Sequence, residues 1–535
     1  MYLTSIAQRL FPRDDILEPI EKFCNLIRKN SPNCLILKIM KKLVLFLVGI
    51  ASLVSFAQDG SLDTSFGNNG IVQTDVNGGS DLSLDVAQQS DGKLVVCGRT
   101  EVATVNYPSL IRYLPNGEVD TSFGGNGTGW VVDSNIPDKM YNSIHIQPSD
   151  DIIVTRSYWV GGNYTYVVNR YSPDGILDAT FGNGGELIAF TGDEEIGDMK
   201  LLNDGSILFT GTIMDNGQPK IAFKKYLPDG TPDLGYGTNG VITTDVGSDL
   251  ESIENLLLLD NGSIITLAYF TVNTDEFPFL LRFSDQGVLD TTYGNNGRTE
   301  VTLEPEYSIS DLATYNDGKI AVLTRFFDFQ FEQIFNQISR YLPNGDFDTS
   351  FGNNGIINPN ISNLSVNQIL VQENQRLLVF GELTDFFEGG GPFFLRRYHL
   401  GGDIDNSFNF NTPSFENFVT NMMIQQDGKI VCLANTPWYN GPEDIIMERH
   451  NNNPLSVPEQ ELQQLKVFPN PSNGIFTVAR EFYSENDTYQ ITDITGKIIT
   501  SGELNDKQTE LDFSTLQNGI YFLKSSSGVF RLLKN

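Results

Sequence analysis

Leu62-Asp63-Thr64-Ser65-Phe66-Gly67-Asn68-Asn69-Gly70 is the stretch that decides the fold, because it returns along the whole chain with modest drift. Its aromatic-glycine pair recurs at Phe66, Phe123, Phe181, Tyr236, Tyr293 and Phe351, and its aromatic at Phe408 before Asn409, in steps of 55 to 58 residues. A second marker, Asp91-Gly92-Lys93-Leu94, returns at Asp204, Asn261, Asp317 and Asp427, with degenerate copies at Asp150-Asp151 and Asn374-Gln375. A third begins at Arg112-Tyr113 and returns at Arg170, Lys225, Arg282, Arg340, Arg397 and Arg449. Three markers in one register define seven copies of a single unit.

Within a unit, short runs of β-branched and aliphatic residues alternate with Gly, Asn, Asp and Pro, the pattern of strands joined by tight turns. The first unit divides into candidate strands at 71–76, 82–88, 93–98 and 109–114, so each repeat has room for four. A lone four-stranded sheet leaves an apolar face bare, and neighbours stacked around an axis cover it. The expected fold is therefore all-β: a seven-bladed β-propeller followed by a small C-terminal β-sandwich. An open β-solenoid is the competing arrangement, although its repeats are usually shorter.

These markers resemble the delta-60 repeat of secreted bacterial proteins, with its L-D-x-S-F-G turn, D-G-K-I strand start and R-Y-x-x-x-G ending. The resemblance implies an architecture and no particular reaction.

The N-terminal region carries an export signal. Met40-Lys41-Lys42, the apolar run 43–56 and Ser55-Phe56-Ala57 before Gln58 have the basic start, short apolar stretch and small-residue cleavage site of a secretory leader. The expected boundaries are an upstream extension at 1–39, absent from the mature protein, a signal peptide at 40–57 cut between Ala57 and Gln58, and the propeller at 58–453. A linker at 454–464 and a separate domain at 465–535 follow.

That last domain reads Phe468-Pro469-Asn470-Pro471, then Asp493-Ile494-Thr495-Gly496-Lys497, then Leu516-Gln517-Asn518-Gly519-Ile520-Tyr521, and ends at Arg531-Leu532-Leu533-Lys534. It resembles the type A C-terminal sorting domain of the type IX secretion system, which implies outer-membrane translocation, removal of the tail, and the secretion machinery as a partner.

The net charge of −32, more negative still without the basic leader, argues against nucleic acid or anionic lipid as partners. The apolar run of the leader is short for a bilayer, so the mature protein is expected to have no transmembrane span and to be a secreted or surface-held monomer. Cys97 and Cys432 fall in comparable strands but at offsets that face them to opposite sides, so no bridge between them is expected.

No nucleophile elbow, zinc helix, phosphate loop or Cys-x-x-Cys pair is present in the sequence, and no cofactor or metal is expected. Asp63, Asp120, Asp178, Asp233, Asp290, Asp348 and Asp405 recur in every unit and read as turn residues or partners of the repeated Arg. A further polar series, Asp85, Asp198, Asn255, Asp311, Gln368 and Asn421, with Ile144 as its exception, suits either strand-end hydrogen bonds or a ligand-coordinating belt. His145, His399 and His450 read as packing residues.

Asymmetry lies in long hairpins rich in aromatics, where Trp159, Phe329, Phe386 and Trp438 are the candidate ligand contacts for a glycan or protein. The expected function is a binding or adhesion-type surface propeller rather than an enzyme. The alternatives are a secreted enzyme acting on glycans or other polymers, with Asp193, Glu194, Glu195, Glu304 and Glu306 as its candidate acids, and a purely structural surface protein.

Overall fold

A computed structural model describes residues 59–160, 163–190, 194–247, 249–272, 275–301, 308–328, 333–359, 361, 363–383, 391–410, 417–437, 441–452, 466–479, 488–493, 497–504, 508–525 and 528–535. Seven antiparallel sheets follow one another among the described residues up to 452, six of four strands and one of three. The first sheet runs Asp81–Gln88, Leu94–Val102, Val105–Tyr113 and Trp130–Val132, each strand hydrogen-bonded to the next.

The strand Ile71–Thr74 does not open the first sheet, as the division of the repeat into four strands suggested. It pairs with Ile445–His450, Ile71 opposite Glu448 and Thr74 opposite Ile445, and so forms the outermost strand of the last sheet. The repeated L-D-x-S-F-G turn thus carries the chain from the third strand of one sheet to its fourth. The sequence period and the sheet are offset by one strand, because a period carries no phase and pairing sets it. It follows that the aromatic-rich hairpins join second to third strands.

The offset closes the ring. Asp63 N–H donates to the Arg449 carbonyl (2.7 Å), and Gly60 N–H donates to the carbonyl of Asn451 (2.7 Å), so the two ends of the propeller complete a single sheet. Closure of this kind makes the ring depend on strand pairing between segments far apart in sequence, which has a high entropic cost of loop closure.

Seven apolar clusters lie at the seven junctions between consecutive sheets. Each contains one copy of the repeated aromatic. Phe66 plugs the junction of the last and first sheets, with Val86 and Ile111 on one side and Val431 and Met447 on the other. Phe123, Phe181, Tyr236, Tyr293, Phe351 and Phe408 take the same role in turn around the ring. Burying one such ring contributes about 1.5–3 kcal/mol, which is why the position tolerates Phe or Tyr alone.

The glycine after the aromatic is equally constrained. Gly67, Gly182, Gly237, Gly294 and Gly352 all have φ between 51° and 55°, and a Cβ there would stand 2.3 Å from a carbonyl oxygen.

Beyond the linker, Lys466–Phe468, Ile475–Ala479 and Gln508–Asp512 form one sheet, and Ile498–Glu503, Thr488–Asp493, Gly519–Ser525 and Gly528–Lys534 form another. Phe476, Val478 and Leu511 from the first meet Ile491, Leu523 and Leu532 from the second in one core.

Candidate functional site

Two rings of polar side chains organise the propeller. The outer one joins the repeated basic residue to the repeated acid: Arg112–Asp120, Arg170–Asp178, Arg282–Asp290, Arg340–Asp348, Arg397–Asp405 and Arg449–Asp63 at 2.7–2.9 Å, and Lys225–Asp233 at 3.3 Å. Each cation also lies 4.2–5.9 Å over the aromatic plug of its junction. The same guanidinium reaches the next sheet, as where Arg112 donates to the Pro173 carbonyl and Arg449 to that of Pro115 (2.7 and 2.6 Å). The recurring acids are therefore structural staples, as their sevenfold repetition indicated.

The inner ring surrounds the axis, where the first strand of each sheet meets the first strand of the next. Asp85 accepts the N–H of its own neighbour Val86 (2.8 Å) and that of Ile144 in the second sheet (2.9 Å). Asp198 does the same for Met199 and Leu256, Asp311 for Leu312 and Ile369, and Gln368 accepts from Met422. Register shifts at these positions turn the side chains toward the neighbouring sheet. At Asp85, Asp198, Asp311 and Gln368 the polar belt is thus a set of sheet-to-sheet hydrogen bonds.

The second sheet departs from this pattern. Asp150 (φ 67°), not Asp151, takes the left-handed turn position held by Gly92 (φ 86°) in the first, so the belt position there is Ser143 and not Ile144. The strand Ser143–Ile146 pairs without a bulge, and Ser143 bonds the Thr155 hydroxyl instead (2.7 Å). His145 and Lys200 are then equivalent, each next to a core residue, Ile144 and Met199.

Charge concentrates at the axis. Lys200 lies 3.2 Å from Asp198. Burial raises Asp85 and Asp311 to about 6, against the lowering pull of two N–H groups each and of the Lys200 charge. Burial brings His145 down to about 4, helped by Lys200 and opposed by Asp198. One ammonium thus acts on groups from the first, second, third and fifth sheets, and near neutral pH the imidazole is uncharged.

At the turn end of the inner strands an open cleft of about 360 Å³ lies among the seventh, first, second and third sheets. Ile146, Pro148, Leu201 and Leu202 give it apolar walls, and Gln88, Ser90, Gln147, Asp150, Asn203 and Gln426 give it amide, hydroxyl and carboxylate groups. Asp150 is anchored by the Ser90 N–H (2.8 Å) and hydroxyl, and Gln88 Oε1 accepts the Gln426 N–H (2.8 Å). Gln147 spends both amide hydrogens on the carbonyls of Gly205 and Pro228 (2.9 and 3.0 Å). The lining contains no cation, and its donors and acceptors suit hydroxyl groups. Sequence reasoning did not mark it: its residues come from four repeats and are unremarkable in each.

The hairpins between second and third strands that are described throughout lie at the other end of the second strands, away from the cleft. Trp159 sits in the strand Ile152–Val160, its backbone paired with Tyr164, while its side chain lies outside the described residues. Phe329, Phe386, Trp438, Ala57 and Gln58 also lie outside them. Of their neighbours, Tyr158 faces Lys139 and Arg156 at 5.2 and 5.6 Å, and Phe326 stacks on Phe335 at 6.1 Å.

Other candidates resolve into packing. His450 is fully buried, 4.7 Å from Phe410 and 3.1 Å from Glu448, and His399 lies 3.9 Å from the staple acid Asp405. Cys97 and Cys432 are buried free thiols in different junctions, both pushed up by burial. Glu194 pairs with Lys224 (2.9 Å), Glu195 is exposed, and Asp193, Glu304 and Glu306 lie outside the described residues. Asp75, Asp81 and Asp444 bring carboxylate oxygens within 4.8 Å of one another at the closing seam, where Asp81 accepts from the Val76 N–H and the Thr100 hydroxyl.

A ring of stapled antiparallel sheets followed by a small two-sheet domain defines the class of this protein, an exported β-propeller. Residues 466–534 match the secretion system C-terminal sorting domain family, and residues 89–123, 147–181, 202–236 and 316–351 match a beta-propeller domain of unknown function. Each of those four stretches ends on an aromatic plug. The sorting domain directs the chain through the type IX secretion system to the cell surface or the extracellular space.

Among solved structures, the chain is similar to PorZ, an essential bacterial surface component of the type-IX secretion system of Porphyromonas gingivalis, at 13% identity and a TM-score of 0.37, over 84% of this chain and 59% of that one. It is similar to the β-propeller domain of the Trilobed protease from Pyrococcus furiosus at 8% and 0.38, over 71% and 98% of the two chains. Polysaccharide lyase Uly1 shows 12% and 0.39, over 71% and 91%. A comparison with curated proteins returns no match.

Proposed function

We propose that the propeller is a binding module delivered to the cell exterior by its sorting domain, and that its ligand is a glycan or a protein of the surroundings. The observation that carries this reading is how the described carboxylates of the two rings are used: each is engaged in holding sheets together, so the repeated chemistry builds a scaffold. What departs from the repeat, in this reading, is contact surface: the cleft, and the hairpins to which the sequence assigns Trp159, Phe329, Phe386 and Trp438. The cleft volume falls within the range usual for small-ligand sites.

In this reading the leader ends at Ala57, the ring spans 58–453, and the sorting domain at 465–535 is cut away within the linker. Support comes from strand pairing that begins at once after the leader, with the Asp59 carbonyl accepting the Asn409 N–H (2.8 Å) and Arg397 bonding the Asp59 carboxylate (2.9 Å). Intact-mass measurement of secreted protein should find an N-terminus at Gln58 and a C-terminus between 451 and 466. A secreted product that keeps residues 1–39 overturns the leader assignment.

Binding is tested with secreted protein on a glycan array and by pull-down from the surroundings of the producing cell. Trp159→Ala and Trp438→Ala should each weaken capture by about 1–3 kcal/mol with an unchanged melting temperature. A lowered melting temperature with unchanged affinity assigns these rings to hairpin packing instead. Turnover of a captured polymer would favour the enzyme reading.

A further inference from the structure

The sorting domain turns an unusual face outward. In its four-stranded sheet, Ile491, Tyr521, Leu523 and Leu532 point into the core, so the alternate residues of the same strands point out. Register places Ile498 opposite Thr492, Thr492 opposite Phe522, and Phe522 opposite Arg531, in one row across all four strands. Ile520 and Leu533 form the next row. Ile498 is 55% exposed and Ile520 40%, and they lie in adjacent rows of the same face.

Cations frame this strip. Lys524 and Arg531, which alternate with the core residues Leu523 and Leu532, are exposed, and neither forms an ion pair with a described residue. In the propeller, by contrast, all seven staple cations are matched by acids. Two unmatched cations beside exposed isoleucines, on a chain whose net charge is −32, are a local reversal of the character of the whole molecule. The edge strand Ile498–Glu503 has no proline and no lysine, so it lacks the usual protection against pairing with another chain.

We propose that this outward face, centred on Ile498, Phe522 and Ile520 and framed by Lys524 and Arg531, is the docking surface for a protein of the export machinery. The inference rests on the sorting role of the domain and adds the surface through which it acts. The partner's complementary site is an apolar strip bordered by carboxylates: burial of the isoleucines supplies affinity, and the charges set orientation. The opposite sheet also exposes apolar side chains, Phe468 and Ile475, but sets them in rows with Glu510 and Asp512, so charge directs an acid-rimmed partner to the face that carries Lys524 and Arg531.

The test uses the full chain in its producing cell and compares the exported with the retained fraction. Ile498→Ser with Ile520→Ser, and separately Lys524→Glu with Arg531→Glu, should each lower the exported fraction about tenfold, while Ile475→Ser on the other sheet leaves it unchanged. Deleting residues 466–535 is the control for the sorting role itself. If the deletion is exported normally, the sorting role fails; if the deletion is retained while both paired variants are exported like wild type, the docking surface is wrong. Should the serine variant lose its protease-resistant C-terminal domain, the charge-reversal variant decides, since its exposed side chains make no core contact.

Discussion

Two rings of carboxylates, in the same repeats and of the same residue type, hold opposite relations to the proton. In the outer ring, burial works to raise Asp405, but the Ser407 hydroxyl, the Arg397 charge and the Ser407 N–H bring it down to about 2, and Asp63 reaches about 2 in the same way beside Ser65, Lys429 and Arg449. In the inner ring, burial prevails and Asp85 and Asp311 rise to about 6. The difference is the partner. A serine hydroxyl and N–H together with a cation outweigh the lost hydration of a carboxylate, whereas two backbone N–H groups compensate only part of it. The outer ring is thus an ionic clamp and the inner ring a polar hinge pin that tolerates a proton.

The sharpest way to break this contrast is Asp348→Ala. Arg340 and Asp348 are both almost fully buried, 3% and 4% exposed at the side chain, and Asp348 is the acid that Arg340 pairs with, so removing it strands a guanidinium between two sheets. The expected loss is about 3–5 kcal/mol, read by denaturant unfolding. A loss below about 1 kcal/mol would mean that the outer ring is no clamp.

Asp311→Ala removes an acceptor without stranding a charge. It leaves the N–H groups of Leu312 and Ile369 unsatisfied, a cost of about 1–3 kcal/mol. Asp311→Asn should cost less, since the amide oxygen still accepts one of the two. If the inner variant were the more damaging of the two rings, the assignment of clamp and pin would be reversed.

The pH response sharpens the comparison further. An acid raised to about 6 in the fold, against about 3.9 unfolded, lets the folded state take up protons first, so stability rises as pH falls from about 6 to 4. Asp81, raised to about 6 mainly by burial, adds to this. His145, held at about 4, works the other way over the same interval. Below about pH 4 the outer acids Asp63 and Asp405 dominate: the unfolded chain protonates before they do, and stability falls toward pH 2. Melting temperature should therefore peak in mildly acidic buffer, and the rise between pH 6 and 4 should be smaller in Asp311→Asn. An identical rise in the variant would show that Asp311 does not titrate there.

By itself the sequence determined the repeated unit, the strand content, the recurring aromatic, the structural character of the recurring acids and the export tail, because each depends on local pattern. Tertiary structure alone decided the rest. The phase of the repeat, and with it the use of Ile71–Thr74 to complete the last sheet, follows from pairing between the two ends of the ring. The belt at Asp85 and Asp311 gained its meaning only when an N–H of another sheet came within 2.9 Å. The cleft brings together side chains from four sheets, and the outward strip of the sorting domain depends on which side of its sheet met the core. Periodicity records how neighbours along a chain repeat, while surfaces are made by residues that become neighbours only after the chain has closed on itself.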